Sequence, residues 1–142
     1  MNYKDWLAKY YPTPAKDVAK SDEAMLLHAE LKWKGLKPDV LEQYDVLKSG
    51  SSLLHKEENG NTRAVLQISA STCALCIVYY DEESPIDANC DGCPLNRQRG
   101  VPCDKQTHYE QMTDKHSPYQ IMLYANDPLP MLLLIKKALK AL

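Results

Sequence analysis

Residues 73–103 read CALCIVYYDEESPIDANCDGCPLNRQRGVPC, and this stretch decides how the rest of the 142-residue chain is organised. All five cysteines fall within it: Cys73-Ala-Leu-Cys76, thirteen residues, Cys90-Asp-Gly-Cys93, nine residues, Cys103. Two Cys-x-x-Cys pairs at this separation are the usual way a short chain offers four thiolates to one ion, because two intervening residues let a turn aim both sulfurs at a common point. Gly92 is the residue that most easily takes the backbone twist such a knuckle needs. Ser71 or Thr72 is expected to cap a helix beginning at Cys73, which would put both thiols of the first pair at the positive end and favour thiolate.

A tetrahedral site takes four ligands, and Cys73, Cys76, Cys90, Cys93 and Cys103 make five candidates. The two pairs are the first choice, with Cys103 replacing one member or standing free and His108 as a substitute. Structural zinc is the leading expectation. An iron–sulfur cluster uses the same thiolates, and spacing does not separate the two. Four thiolates on zinc carry a charge of about −2, and Arg97, Arg99 and Lys105 stand where they would partly offset it. From Asp81 to His108 the chain is rich in Pro, Gly, Asp and Asn and lacks regular apolar spacing, so something beyond local propensity must order it. Metal does this readily, since a structural zinc site contributes on the order of 10 kcal/mol of folding free energy.

Upstream, residues 3–11 predict a short helix ended by Pro12 and Pro14. Ser21 offers an N-cap to a helix running to about Lys34, where Gly35 supplies a stop. Its apolar face is read as Ala24, Leu27 and Leu31, with Met25 and Leu26 more loosely placed. A further helix starts at Pro38 and carries Val40, Leu41 and Tyr44 inward. Residues 1–48 are thus a helical layer. Residues 49–71, with the turn-forming Glu58-Asn59-Gly60-Asn61, read as a β-hairpin leading into the metal-binding segment 72–108. Downstream, Ser117-Pro118 and Asp127-Pro128 are both cap-plus-proline signals, predicting helices over 118–125 and 128–142. The last places Leu132, Ile135, Leu139 and Leu142 near one face, to be buried in the core or covered by a partner. The expected fold is a single α+β domain spanning 1–142, with helices at both ends, one hairpin and a zinc-ordered loop.

The chain carries 17 basic and 19 acidic residues, so it has no broad attraction for nucleic acid or an anionic membrane. Residues 51–130 hold six bases against eleven acids, and residues 131–142 hold three lysines and no acid. The N-terminus has no apolar signal-peptide core, and no apolar run approaches a membrane span. The expectation is a soluble cytoplasmic protein, and in a reducing compartment its cysteines stay reduced or bind metal.

One catalytic arrangement competes. His28-Ala29-Glu30, followed after 42 residues by Cys73-x-x-Cys76, resembles the zinc-deaminase signature, with His28 as a ligand and Glu30 moving protons. Thr72 stands where that family has proline, and the arrangement leaves Cys90, Cys93 and Cys103 unexplained. A cysteine nucleophile at Cys103 with His108 or His116 is the other enzymatic option, though thiols beside a metal cluster are more often ligands. No Gly-rich phosphate loop, Gly-x-Ser-x-Gly elbow or His-Glu-x-x-His helix occurs.

Cys-x-Leu-Cys-x-x-Tyr-Tyr (73–80), Cys-x-Gly-Cys-Pro-Leu (90–95) and Gly-x-x-Cys (100–103), with His28 and Lys32-Trp33-x-Gly35-Leu36 upstream, carry a further likeness. Over residues 24–110 the chain resembles a group of short, cysteine-rich, uncharacterised proteins encoded by tailed bacteriophages. That resemblance implies a bacterial cytoplasm, a metal-binding core and an accessory role such as binding or inhibiting a host or defence protein. The function expected is therefore non-enzymatic, a zinc-stabilised adaptor acting on another protein. A nucleic-acid-binding zinc module is the alternative, and it would need a basic face containing Arg97, Arg99 and Lys105.

Overall fold

Asn2 opens the fold with its side chain. Its amide oxygen accepts from the backbone N–H of Lys4 and Asp5, and Asp5 reaches back to the Asn2 N–H, a reciprocal cap on α1 (Tyr3–Tyr10). The computed structural model describes residues 2–79, 92–99 and 117–142. After the prolines a 3-10 turn (Ala15–Asp17) leads to Ser21, whose hydroxyl accepts from the Ala24 N–H at 3.2 Å and starts α2 (Asp22–Lys34). Helix α3 (Pro38–Gln43) closes with Asp45 in the left-handed region (φ 56°), while the Val46 N–H reaches back to the Leu41 carbonyl at 2.9 Å. All three helices lie where their caps and prolines place them.

Gly35 does end α2, but not for the conformational reason expected. Its backbone is right-handed (φ −72°, ψ −11°), which any residue adopts. What the position requires is the absence of a side chain, because a Cβ would stand 2.6 Å from Tyr10 Cγ and 2.9 Å from Trp6 Cζ2. The Trp6 indole N–H donates to the Gly35 carbonyl at 2.9 Å, so α1 lies directly on the end of α2.

The expected hairpin is part of a larger unit: β1 (Leu47–Ser49), β2 (Ser52–Lys56) and β3 (Thr62–Gln67) form an antiparallel sheet in the order β1-β2-β3. Its first strand begins inside the stretch read as helical layer, since three residues are too few to show alternation. A tertiary contact holds that strand: Lys48 Nζ donates to Asn126 Oδ1 at 2.7 Å and to the Leu123 carbonyl at 3.1 Å, at the carbonyl end of a later helix. Leu53 pairs with Leu66, and a bulge follows between Leu53 and Leu54.

A second 3-10 turn (Ala70–Thr72) connects the sheet to α4 (Ala74–Tyr79); α5 (Pro94–Arg99), α6 (Pro118–Ala125) and α7 (Leu129–Lys140) complete the described elements. Ser117 and Gln120 cap α6 reciprocally, as the Ser-Pro signal predicts. The architecture is α+β, with helices at both ends and α2 at its centre, packed against α1, α4 and α7. Trp6, Met25, Leu26, Leu53, Leu75 and Ile135 are fully buried in one continuous core.

Two helices present different faces from those expected. On α2 the buried residues are Met25, Leu26, Ala29, Lys32 and Trp33, while Leu27 is exposed. On α7 they are Met131, Leu134, Ile135 and Ala138; Leu132 and Leu139 sit at the edge, and Leu142 is exposed. Residues 129–135 are apolar all round, so periodicity alone does not set the phase, and the helix buries the face that meets α2, α5 and α6. No helix among the described residues is long and apolar enough to cross a membrane.

Candidate metal centre

The first pair is built at the junction of sheet and helix. The Thr72 hydroxyl donates to the Gln67 carbonyl at 2.6 Å and accepts from the Ser69 N–H at 3.3 Å, so it closes β3 rather than capping α4. Helix α4 therefore starts one residue later than expected. Cys73 occupies the capping position, with extended backbone (φ −115°, ψ 113°) and its carbonyl accepting from the Ile77 N–H at 3.1 Å.

Its sulfur does what a cap side chain does. The Cys76 thiol hydrogen-bonds to it, Lys32 stands close by, and the backbone N–H groups of Cys76 and Leu75 point at it. The Cys76 hydrogen bond is the strongest of these, and together they outweigh burial, holding Cys73 down to about 6 from an ordinary 9.0. The Cys73 thiol is thus shifted toward the thiolate, with the Cys76 thiol as its hydrogen-bond partner. This donor set fits one edge of a tetrahedral zinc or iron site.

Lys32 is the residue that sequence reasoning missed. It is 2% exposed, and its Nζ donates to the Thr72 carbonyl at 2.9 Å, immediately before Cys73. A signal was present: Lys32 lies three residues after Ala29 and seven after Met25, on the apolar stripe of α2. Arg97, expected to balance the thiolates, instead pairs with Asp22 at 2.7 Å.

Of the second pair, Cys93 is described. It is buried, with its carbonyl accepting from the Arg97 N–H at 2.9 Å to start α5. Gly92 before it has φ 81°, the left-handed twist expected of a knuckle. A Cβ there would lie 3.5 Å from the Tyr79 ring, so the knuckle rests on the last residue of α4, three positions after Cys76. Asp22 fastens the same junction, its Oδ1 accepting the Tyr79 hydroxyl and its Oδ2 the Arg97 guanidinium, each at 2.7 Å. The fold thus sets the turn of the second pair against the helix of the first. Among the described residues no three of His, Cys, Asp and Glu gather round one point. Cys90, Cys103, Lys105, His108 and His116 lie outside the described residues, as does the loop expected to be ordered by zinc apart from residues 92–99, which form the Gly92 turn and the helix α5.

His28 faces elsewhere. Its Nε2 is 2.7 Å from the Thr13 carbonyl, which makes Nε2–H the donor, and its ring meets Tyr11 edge-on at 5.1 Å. Nδ1 is buried without a hydrogen-bond partner. Burial lowers the His28 pKa, with Lys32 adding to the effect and the Thr13 bond opposing it. Glu30 pairs with Lys34 at 3.5 Å on the surface of α2. His28, Cys73 and Cys76 are all described, and they do not converge as a deaminase zinc site requires.

The chain matches no protein-family model, no curated protein and no solved structure.

Proposed function

We propose that the protein is a non-enzymatic, zinc-stabilised binding protein, in which the cysteine segment holds one structural ion and the helices present a surface to a protein partner. The observation that carries this reading is the Cys73–Cys76 pair, seated at the start of α4 with its sulfurs hydrogen-bonded and a buried lysine alongside. Helix α4 has six residues, too few to persist on propensity. A metal bridging its two cysteines to Cys90 and Cys93 would join α4 to the segment that leads into α5. Such a sulfur-only site has every position filled, which favours structure over catalysis.

For the partner surface, Leu129 and Leu133 are 53% and 58% exposed, one turn apart on α7. The net acidic middle of the chain and the Arg97–Asp22 pair weigh against nucleic acid. The likeness of the cysteine motifs to short phage proteins supports an accessory role in a bacterial cytoplasm, directed at a host or defence protein.

The test is metal content by mass spectrometry, with visible absorption, on protein purified without an affinity metal. One colourless zinc per chain is the expected result. Brown iron with sulfide, or no metal, overturns it. Binding to DNA or RNA that weakens steeply with salt overturns the protein-partner half.

A further inference from the structure

Helix α7 has a second face. Met131, Leu134, Ile135 and Ala138 are buried in the core, whereas Leu129, Leu133, Lys136 and Lys140 follow one another along the opposite side. At about 100° per residue these four fall within roughly 60° of arc, on a line about 16 Å long. Leu129 and Leu133 are more than half exposed, and the two lysines, with Lys137 beside them, stand in solvent. The lysines alone call for no partner, because cations suit the carbonyl end of a helix. The leucines do, because a solvated helix face carries polar side chains and this one begins with two leucines a turn apart.

Charge and spacing together say what would cover the line. Among the described residues no carboxylate pairs with Lys136, Lys137 or Lys140, and residues 131–142 contain no acid. The steps of four, three and four residues are those of a two-helix seam, in which apolar side chains insert into a facing helix and charges choose the partner. A second copy of α7 does not match. Laid parallel it sets lysines against lysines, and laid antiparallel it sets lysines against leucines. A helix with leucines on one half of its seam and carboxylates on the other matches both halves.

We propose that the outer face of α7 docks an acidic amphipathic helix of a partner protein, whose apolar side chains cover Leu129 and Leu133 and whose carboxylates meet Lys136, Lys137 and Lys140. This rests on the protein-binding reading above and gives that surface its partner chemistry. The leucines supply the attachment, and the lysines set the direction of the partner and exclude basic segments. The acidic end of the docked helix lies over the C-terminal turns of α7.

The experiment uses the full-length chain and a fluorescently labelled helical peptide of about three heptads, with leucines at the seam positions of one half and glutamates at those of the other. A second peptide has lysine in place of every glutamate, and zinc content is measured on the same protein samples. The expected result is saturable binding of the glutamate peptide by fluorescence anisotropy and none of the lysine peptide. Binding weakens at least about 10-fold in Leu129→Ser/Leu133→Ser and in Lys136→Glu/Lys140→Glu. It is unchanged in Leu27→Ser, which removes an exposed leucine of α2. No binding by wild type, equal binding of the two peptides, or binding that survives both double substitutions overturns the proposal. The comparison of the two peptides on wild type decides the question even where a variant fails to fold. A wild type that sediments as a dimer and becomes monomeric in Leu129→Ser/Leu133→Ser gives the face to a second copy, and adsorption to anionic phospholipid vesicles without peptide binding gives it to a lipid surface; either overturns the proposal. Failure to bind by zinc-loaded protein leaves the zinc-stabilised reading standing, whereas zinc-free protein that still binds the glutamate peptide overturns the metal half of that reading and supports the docking face.

Discussion

The Tyr79 hydroxyl donates to Asp22 Oδ1 at 2.7 Å, and through this bond the last turn of α4 is fastened to the first turn of α2. The other carboxylate oxygen takes the Arg97 guanidinium, so one side chain joins both cysteine-bearing segments to the central helix. Asp22→Ala is expected to destabilise the fold by about 1–2 kcal/mol, mostly through the Tyr79 bond, because the half-exposed Arg97 pair contributes little. Urea unfolding checks this, and a change within error would show that the junction is held by packing alone.

Tyr79 also gives the alkaline limb of stability. Its hydroxyl titrates above the ordinary 10.0, chiefly because it donates to Asp22, with burial and the carboxylate charge adding. A raised pKa means the folded state prefers the neutral phenol, so this stability is complete below pH 10 and is lost as pH rises through the folded value. Tyr79→Phe should flatten the fall in melting temperature above pH 10.

His28 has the opposite sense. Burial holds it neutral below its ordinary 6.5, so the unfolded chain takes up the proton first and stability declines as pH drops below 6.5. His28→Gln, whose amide can still donate toward Thr13, should show a shallower decline between pH 6.5 and 5. An unchanged slope would mean that His28 is as solvated in the fold as in the unfolded chain.

Metal retention separates the structural centre from a deaminase. His28→Ala is expected to keep its zinc, whereas Cys76→Ser and Cys90→Ala lose it, as read by mass spectrometry. The reverse pattern, zinc lost with His28 and kept without Cys90, would replace the structural centre with the deaminase arrangement.

Packing supplies the sharpest contrast in stability. Ile135 is fully buried and Leu133 is 58% exposed on the same helix. Truncation to alanine should destabilise by about 3 kcal/mol at Ile135 and less than about 0.5 kcal/mol at Leu133. Gly35→Ala should destabilise by about 2 kcal/mol despite alanine's better helix propensity, because the added methyl meets Tyr10 and Trp6.

What the sequence determined by itself was local. Ser21 and Ser117 mark helix starts because a cap acts on backbone groups two or three residues away, Pro38 marks one because its fixed φ suits the first helical position, and Gly60 marks the hairpin because it takes the positive φ of the turn. The Cys-x-x-Cys spacing likewise announces the first thiol pair, whose partners are neighbours in the chain. The tertiary structure decided what depends on distant partners. Gly35 is needed because Tyr10 lies across it, β1 forms by pairing with β2 and is tied by Lys48 to the end of α6, and the face that α7 buries is set by the helices packed on it, α2, α5 and α6. Above all, a lysine 40 residues before Thr72 is buried at its carbonyl beside Cys73. Its charge matters only once folding removes water from around it, and no spacing rule in the chain encodes that juxtaposition.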